Sequence, residues 1–196
     1  MKNVKIQEIF DYLYEHLTPE RIEHSYNVAA LAIKLAYKNN TDVLKAQIAG
    51  LLHDCAKYMT GKELVDFFNK YDRKITYKYF KKTSKFLPHL LHSFGGGVIA
   101  KEKFKIEDKD ILNAIKNHTQ GRRNMSTLEK IIFVADSISD DRKLNYVKRL
   151  QELAKKDLEK TFFEVLRKKV EYIIKQRTYI LQQIVDTWNW YVSKNK

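Results

Sequence analysis

Leu51-Leu52-His53-Asp54-Cys55-Ala56-Lys57 is the stretch on which the reading of this chain turns. Ile48 and Ala49 precede it, so an oily helix ends on an imidazole and a carboxylate, with a lysine one turn further on. A buried titratable group is costly unless it finds a hydrogen bond, a counter-charge or an ion. Taken singly, His53 reads as a hydrogen-bonded core residue and Asp54 as a cap for the next turn. Only other residues of the same kind can raise the pair above that.

Around this stretch the chain reads as a helical bundle. Its 196 residues are 44% hydrophobic and 31% charged, enough for one domain with its own core. Pro19 and Pro88 are the only prolines and there are six glycines, so long uninterrupted elements are expected. Ile6, Ile9, Phe10, Leu13 and Leu17 predict an amphipathic helix over 3–17. Thr18-Pro19-Glu20 reads as a cap and first turn opening a helix to about Lys38. Thr41-Asp42 opens a third, expected to run to about Lys57. Thr60 with Glu63, and Ser126 with Glu129, are capping boxes, and Asp108 is a further cap. Residues 71–86 read as loop or short helices. Pro88 precedes a helix to about Phe104 that contains Gly95-Gly96-Gly97. Each glycine there costs roughly 1 kcal/mol against alanine, so a neighbouring helix is expected to approach that backbone closely. From Asp157 to Ser193 the pattern is helical with a break near Lys175–Thr178. The expectation is one all-α domain over 1–196, with a core over about 20–140 and C-terminal helices over about 145–193.

Net charge is +13, mostly from lysines spread along the chain. Such a surface favours polyanions, whether nucleic acid, anionic membrane or polyphosphate, although a solvated lysine-rich surface explains it as well. The single cysteine, Cys55, leaves no intrachain disulfide and fits a reducing compartment. The N-terminal stretch has no apolar core or small-residue cleavage site, and no apolar run approaches the ~20 residues of a membrane span. A cytoplasmic location without a membrane partner is expected.

His24, His53, Asp54, His92, His118 and Asp136 lie on apolar helix faces or end them, on five helices; of the six histidines only His16 and His89 fall outside this set. Clusters of titratable groups mark sites more often than singletons do. A bound cation would satisfy all of them at once. Imidazole with carboxylate suits Fe, Mn, Zn or Ni, whereas Mg and Ca want an oxygen-rich shell and structural zinc wants thiolates. On a helix His53 and Asp54 point about 100° apart, so the pair can hold one ion from two directions or let Asp54 reach a second. Lys57 lies at i+4 from His53 and i+3 from Asp54, placed either for a phosphate or for an ion pair with Asp54. Arg21 lies at i−3 from His24. Cys55 reads as packing.

The strings RIEHSYNVA, AGLLHDCAK, LLHSFGGG and ILNAIKNHTQGRRNMSTLEKIIFVAD, with Arg142 nearby, resemble HD-domain phosphohydrolases and, within them, the YqeK family. The likeness spans about residues 20–170. It implies an HD-domain helical bundle that hydrolyses diadenosine tetraphosphate symmetrically to two ADP by metal-activated hydroxide. It implies a divalent transition metal, iron first among the candidates and Mn, Ni or Zn after it, in one or two copies. Carried over by position, it implies His24, His53, Asp54 and Asp136 as metal ligands. His92 and His118 would complete a second metal with Asp54 bridging, or contact phosphate. His53, Asp54 and Lys57 would be the catalytic group, and Arg21, Lys57, His92, His118, Thr119 and Arg142 would meet substrate. Arg122 is a weaker phosphate candidate. The partner is then a dinucleoside polyphosphate or a nucleoside di- or triphosphate, nucleic acid is not expected, and a homodimer stays open. Rival readings are another HD nucleotide phosphohydrolase, a nucleotidase or deoxynucleotide triphosphohydrolase, and more distantly a non-catalytic nucleotide- or RNA-binding protein. Where the family usually has Glu-Pro-Gly-Arg, this chain has Ser139-Asp140-Asp141-Arg142. Two aspartates beside a polyphosphate repel it unless they turn away or bind metal.

Overall fold

A computed structural model of the protein describes residues 5–71 and 80–194. The described residues form α-helices joined by short turns, with no strand among them. In chain order these are α1 (Ile6–His16), α2 (Pro19–Lys38), α3 (Val43–Leu52), α4 (Gly61–Tyr71) and α5 (Phe80–Phe86). A 3-10 turn (Pro88–Leu91) leads into α6 (His92–Glu102) and α7 (Lys109–Asn117). Then come α8 (Thr127–Ile138), α9 (Val147–Ala154), α10 (Leu158–Lys175) and α11 (Gln182–Lys194). The all-α expectation holds. No described helix is long and apolar enough to cross a membrane.

The caps explain most of the boundaries. The Asp42 side chain accepts from Lys45 N, Asp108 from the Asp110 and Ile111 amides, and Asp157 from Lys160 N. Both capping boxes close: Thr60 with Glu63, and Ser126 with Glu129. Thr18 precedes α2 in extended conformation but makes no capping bond to the helix; Pro19 in the first turn starts it. The expected loop or short helices over 71–86 resolve in part: α5 covers its end, and 72–79 lie outside the described residues.

One expected boundary holds and one is corrected. The helix that Pro88 precedes starts at His92, after a 3-10 turn. The third helix stops at Leu52 rather than Lys57. Beyond it the amides of Cys55, Lys57 and Met59 each bond to the carbonyl three residues back, at 3.2, 2.9 and 3.2 Å. In this tighter winding residues three apart stack in line, so Lys57 comes to lie on Asp54 and not on His53.

α8 is the central element. Leu128, Ile131, Ile132, Phe133, Val134, Ala135 and Ile138 are buried, along with the polar Glu129 and Asp136. α2, α3, α7, α9 and α10 pack around it. α2 and α3 cross closely at Gly50, where a Cβ would lie 2.7 Å from the Ala29 Cα. The glycines of α6 have the expected cause: a Cβ on Gly96 would stand 3.3 Å from the Leu52 carbonyl oxygen and 3.4 Å from that of His53. This close seating lays α6, with His92 at its start, against the His53-Asp54 turn.

Candidate metal centre

Three helix ends build the centre by one local device. The last turn of a helix leaves carbonyls without intrahelical donors. At the end of α3 the His53 Nδ1 donates to the Gly50 carbonyl at 2.7 Å. At the end of α7 the His118 Nδ1 donates to the Ile115 carbonyl, and where the 3-10 turn meets α6 the His92 Nδ1 donates to the His89 carbonyl, both at 2.7 Å. Each bond fixes the ring and commits Nδ1, so Nε2 faces inward as the free ring position. His89 contributes that carbonyl, while its own ring is exposed.

The inward atoms meet. His92 Nε2 and His118 Nε2 are 3.2 Å apart. The same two atoms lie 3.2 and 3.3 Å from Asp54 Oδ1. On the other carboxylate oxygen, Asp54 Oδ2 stands 3.3 Å from His53 Nε2 and 3.8 Å from His24 Nε2. Asp136, from the last turn of α8, places Oδ1 3.3 Å from His24 Nε2 and 3.9 Å from His53 Nε2. The metal-capable donor atoms of His24, His53 and Asp136 lie within 4.8 Å of one another, as do those of His53, Asp54 and His118. Asp54 thus stands between two donor sets, one on each oxygen. All six residues are buried.

The chemistry of this donor set fits a cation. Nitrogen lone pair against nitrogen lone pair at 3.2 Å is repulsive unless a proton or a cation lies between them. His53 Nε2 and Asp54 Oδ1 are buried without a hydrogen-bond partner. Burial, with His53 and His92 adding to it and Asp54 opposing, pushes the His118 pKa down to about 4, so its ring is neutral near pH 7. His53 is raised: burial works against its charge, but Asp54 and Asp136 outweigh it. Burial would raise Asp54, yet His53 and Lys57 hold it well below the carboxylate range. Asp136 is likewise held low against burial, by Lys169, His24 and Arg142.

Side-chain cations crowd the same carboxylates. Lys57 Nζ is 2.5 Å from Asp54 Oδ2, the ion-pair alternative of the sequence reading. Arg142 donates from Nε to the Asp136 carbonyl at 2.8 Å and from Nη2 to Asp136 Oδ1 at 2.6 Å. That Nη2 also stands 3.2 Å from His24 Nε2, between two of the metal-capable donors. Arg21 does not reach the carboxylates; its Nη1 donates to the Lys57 carbonyl at 2.5 Å. Thr119 follows His118, and its carbonyl faces Lys169 Nζ at 3.5 Å. Arg122 is drawn away from the centre onto Glu129. Cys55 is buried, with Sγ 3.9 Å from the Gly96 carbonyl, and is not among the converging donors.

Two residues of the centre escaped the sequence reading. Lys169 on α10 places Nζ 3.5 Å from Asp136 Oδ2 and 4.5 Å from the centroid of the Phe133 ring. Its signal was positional: it continues the Phe162-Val165-Leu166 buried stripe at helical spacing, where an apolar residue is expected. Asp141 accepts from His24 Nδ1 at 2.8 Å, as the outer partner of a ligating histidine does. Asp140 is also turned aside, its Oδ1 accepting from Gln151 Nε2 at 2.8 Å. Of the two aspartates expected to repel a polyphosphate, Asp140 is turned away, while Asp141 stays at the centre with one oxygen engaged by His24.

Paired imidazoles and carboxylates held between helix ends, with cations ringed round them, make a centre that could hold a metal ion. The HD domain family matches residues 21–141. A protein of Halalkalibacterium halodurans named symmetrical bis(5'-nucleosyl)-tetraphosphatase is 33% identical over 92% of this chain and 94% of its own. One of the same name from Bacillus subtilis is 30% identical over 95% and 97%. A crystal structure from Clostridium acetobutylicum, described as a predicted HD superfamily hydrolase involved in NAD metabolism, superposes with a TM-score of 0.89. It is 34% identical and covers 97% of this chain and 98% of its own. The chain belongs to the HD domain family and, within it, to the YqeK-type group of these tetraphosphatase relatives.

Proposed function

We propose that the protein hydrolyses diadenosine tetraphosphate symmetrically to two ADP at a centre held by His24, His53, Asp54 and Asp136, with His92 and His118 completing a second position across Asp54. The observation that carries this reading is the inward convergence of Nε2 atoms on two buried carboxylates, in a chain whose relatives bear that activity in their names. The donor set suits a divalent transition metal, and iron is the reading's first choice. When bound, such an ion lowers the pKa of water and neutralises charge on phosphoryl oxygens.

The chain's own residues supply position and charge. Asp54 offers one oxygen to each donor set, so it would serve a second ion as well as a first. The carbonyl bonds to Nδ1 hold three rings so that Nε2 needs no reorganisation. Lys57, as a point charge, and Arg142, as a two-pronged donor, stand beside these carboxylates and are the cations that would meet phosphate. Arg21 steadies the Lys57 turn through its carbonyl, and Lys169 stays on the outer oxygen of Asp136. Phosphoryl transfer needs little covalent help, so placement and electrostatics of this kind suffice.

The experiment is purification without oxygen, metal analysis, and incubation with diadenosine tetraphosphate and Fe(II) or Mn(II). ADP as sole product is expected. ATP with AMP, or consumption of a deoxynucleoside triphosphate without turnover of the dinucleotide, overturns the reading.

A further inference from the structure

A cut in the middle of a symmetrical substrate sets a demand that the metal donors alone do not meet. Both halves are the same nucleotide, so the central phosphates are selected only if each half is seated at a fixed reach from the centre. The Ser139–Tyr146 link and the start of α9 line an open recess of about 310 Å³, at the lower end of the range for small-ligand sites (roughly 300–1,000 Å³). Arg142 is one of its walls. The same guanidinium touches Asp136 and His24, so recess and metal centre share that side chain.

The lining suits an anion with an apolar end. Lys143 and Lys148 join Arg142 as cations. Asp140, the one acid in the lining, is held by Gln151 and does not oppose them freely. Leu144 is 50% exposed, presenting bare aliphatic surface beside the Asn145 amide. Three cations, an aliphatic face and an amide are the kinds of group that meet a nucleotide's phosphates and its base, and of the cations Arg142 touches the centre.

We propose that this recess seats one nucleotide half of the substrate, with Lys143 and Lys148 on its phosphates and Leu144 against its base; the substrate class rests on the function proposed above. Arg142 then marks the passage from seat to centre. Seat and centre are separable, because neither lysine touches a metal-capable donor.

The test is calorimetric titration of the metal-loaded protein with ADP and with inorganic pyrophosphate, alongside steady-state kinetics on diadenosine tetraphosphate. Lys143→Ala/Lys148→Ala should weaken ADP binding and raise KM by about tenfold, as loss of two charge-assisted contacts implies. Leu144→Ala should weaken ADP binding and leave pyrophosphate binding unchanged. Circular dichroism establishes that the variants are folded. Unchanged ADP affinity in both folded variants overturns the proposal. If the wild type makes ADP from the dinucleotide while the double variant keeps its KM, the recess fails and the function stands. If the wild type makes no ADP but binds it in a lysine-dependent way, the function fails and the recess stands.

Discussion

α8 carries two buried carboxylates seven residues apart on one face, and their surroundings are opposite in kind. Glu129, near its start, is fully buried and meets only donors. It accepts from Arg122 Nε and Nη2, both at 2.6 Å, from Asn117 Nδ2 at 3.0 Å and from the Ser126 amide at 2.7 Å. Asp136, two turns on, shares its cavity with Asp54 and with imidazole nitrogens whose other ring atoms are already committed. One cluster is closed by the protein. The other has an excess of acceptors that only protons, neighbouring cations or a metal can balance. Burial of charge does not distinguish them; the count of donors against acceptors does.

Isosteric amides break the comparison most sharply, because each adds a donor to one cluster. Asp54→Asn removes the charge and one of the two oxygens that serve the separate donor sets, and activity should fall by more than about 10³-fold, the several kcal/mol a metal contributes to the transition state. The new amide can face the His92 and His118 Nε2 atoms, but Lys57 loses its counter-charge, so the melting temperature of metal-free protein should fall less than in Glu129→Gln. Glu129→Gln sets a donor against Arg122, Asn117 and a backbone amide, leaving buried groups unsatisfied. It should destabilise the fold by about 3 kcal/mol while the folded fraction keeps its full metal content. Calorimetric melting with metal analysis of both variants checks this. Stable, metal-replete Asp54→Asn protein would erase the distinction.

A smaller effect belongs to Asp141, which stands behind His24, one of the proposed ligands. Its bond to His24 Nδ1 fixes which nitrogen faces the centre, and outer partners of this sort alter metal affinity by roughly 10–100-fold. Asp141→Asn should weaken metal binding by about tenfold in competition with a chromogenic chelator, with little loss of stability. Equal affinity would mean that the hydrogen bond to His24 Nδ1, which an asparagine oxygen can still accept, suffices without the charge of Asp141.

The two clusters also differ in how legible they were. Ser126 and Glu129 are readable as a capping box because the device lies within four residues. The centre was readable as six residues on oily faces and as a family resemblance, but not as a geometry. Asp54's place between two donor sets depends on α3 stopping at Leu52 and on the 3-10 turns that follow, and helix ends are what periodicity fixes least well. Lys169 and Asp141 reach the centre across 33 and 117 residues, from Asp136 and His24 respectively, and local pattern carries no such pairing. Arg122 read as a weak phosphate candidate because a loop arginine is usually solvated, whereas it is bound to the buried Glu129. What the sequence withheld was the inward direction of each side chain, which arises only when helix ends are packed together.

The smallest effect sharpens the comparison from inside the centre's own turn. Cys55 adjoins Asp54 in sequence and is fully buried, yet it belongs to neither kind of cluster. Burial, with Asp54 nearby adding to it, pushes its thiol well above the ordinary cysteine range. The neutral form therefore persists in the fold across the range in which an exposed thiol, with a pKa near 8.5, ionises. A thiol-specific reagent should leave Cys55 unmodified in the native protein up to about pH 9 and label it as soon as denaturant unfolds the chain. Cys55→Ala should leave metal content and turnover unchanged, because the Sγ lies against the Gly96 carbonyl and outside the converging donors. Rapid labelling of folded protein, or loss of metal in the alanine variant, would place sulfur in the donor set and shift the expected metal toward those that thiolates select.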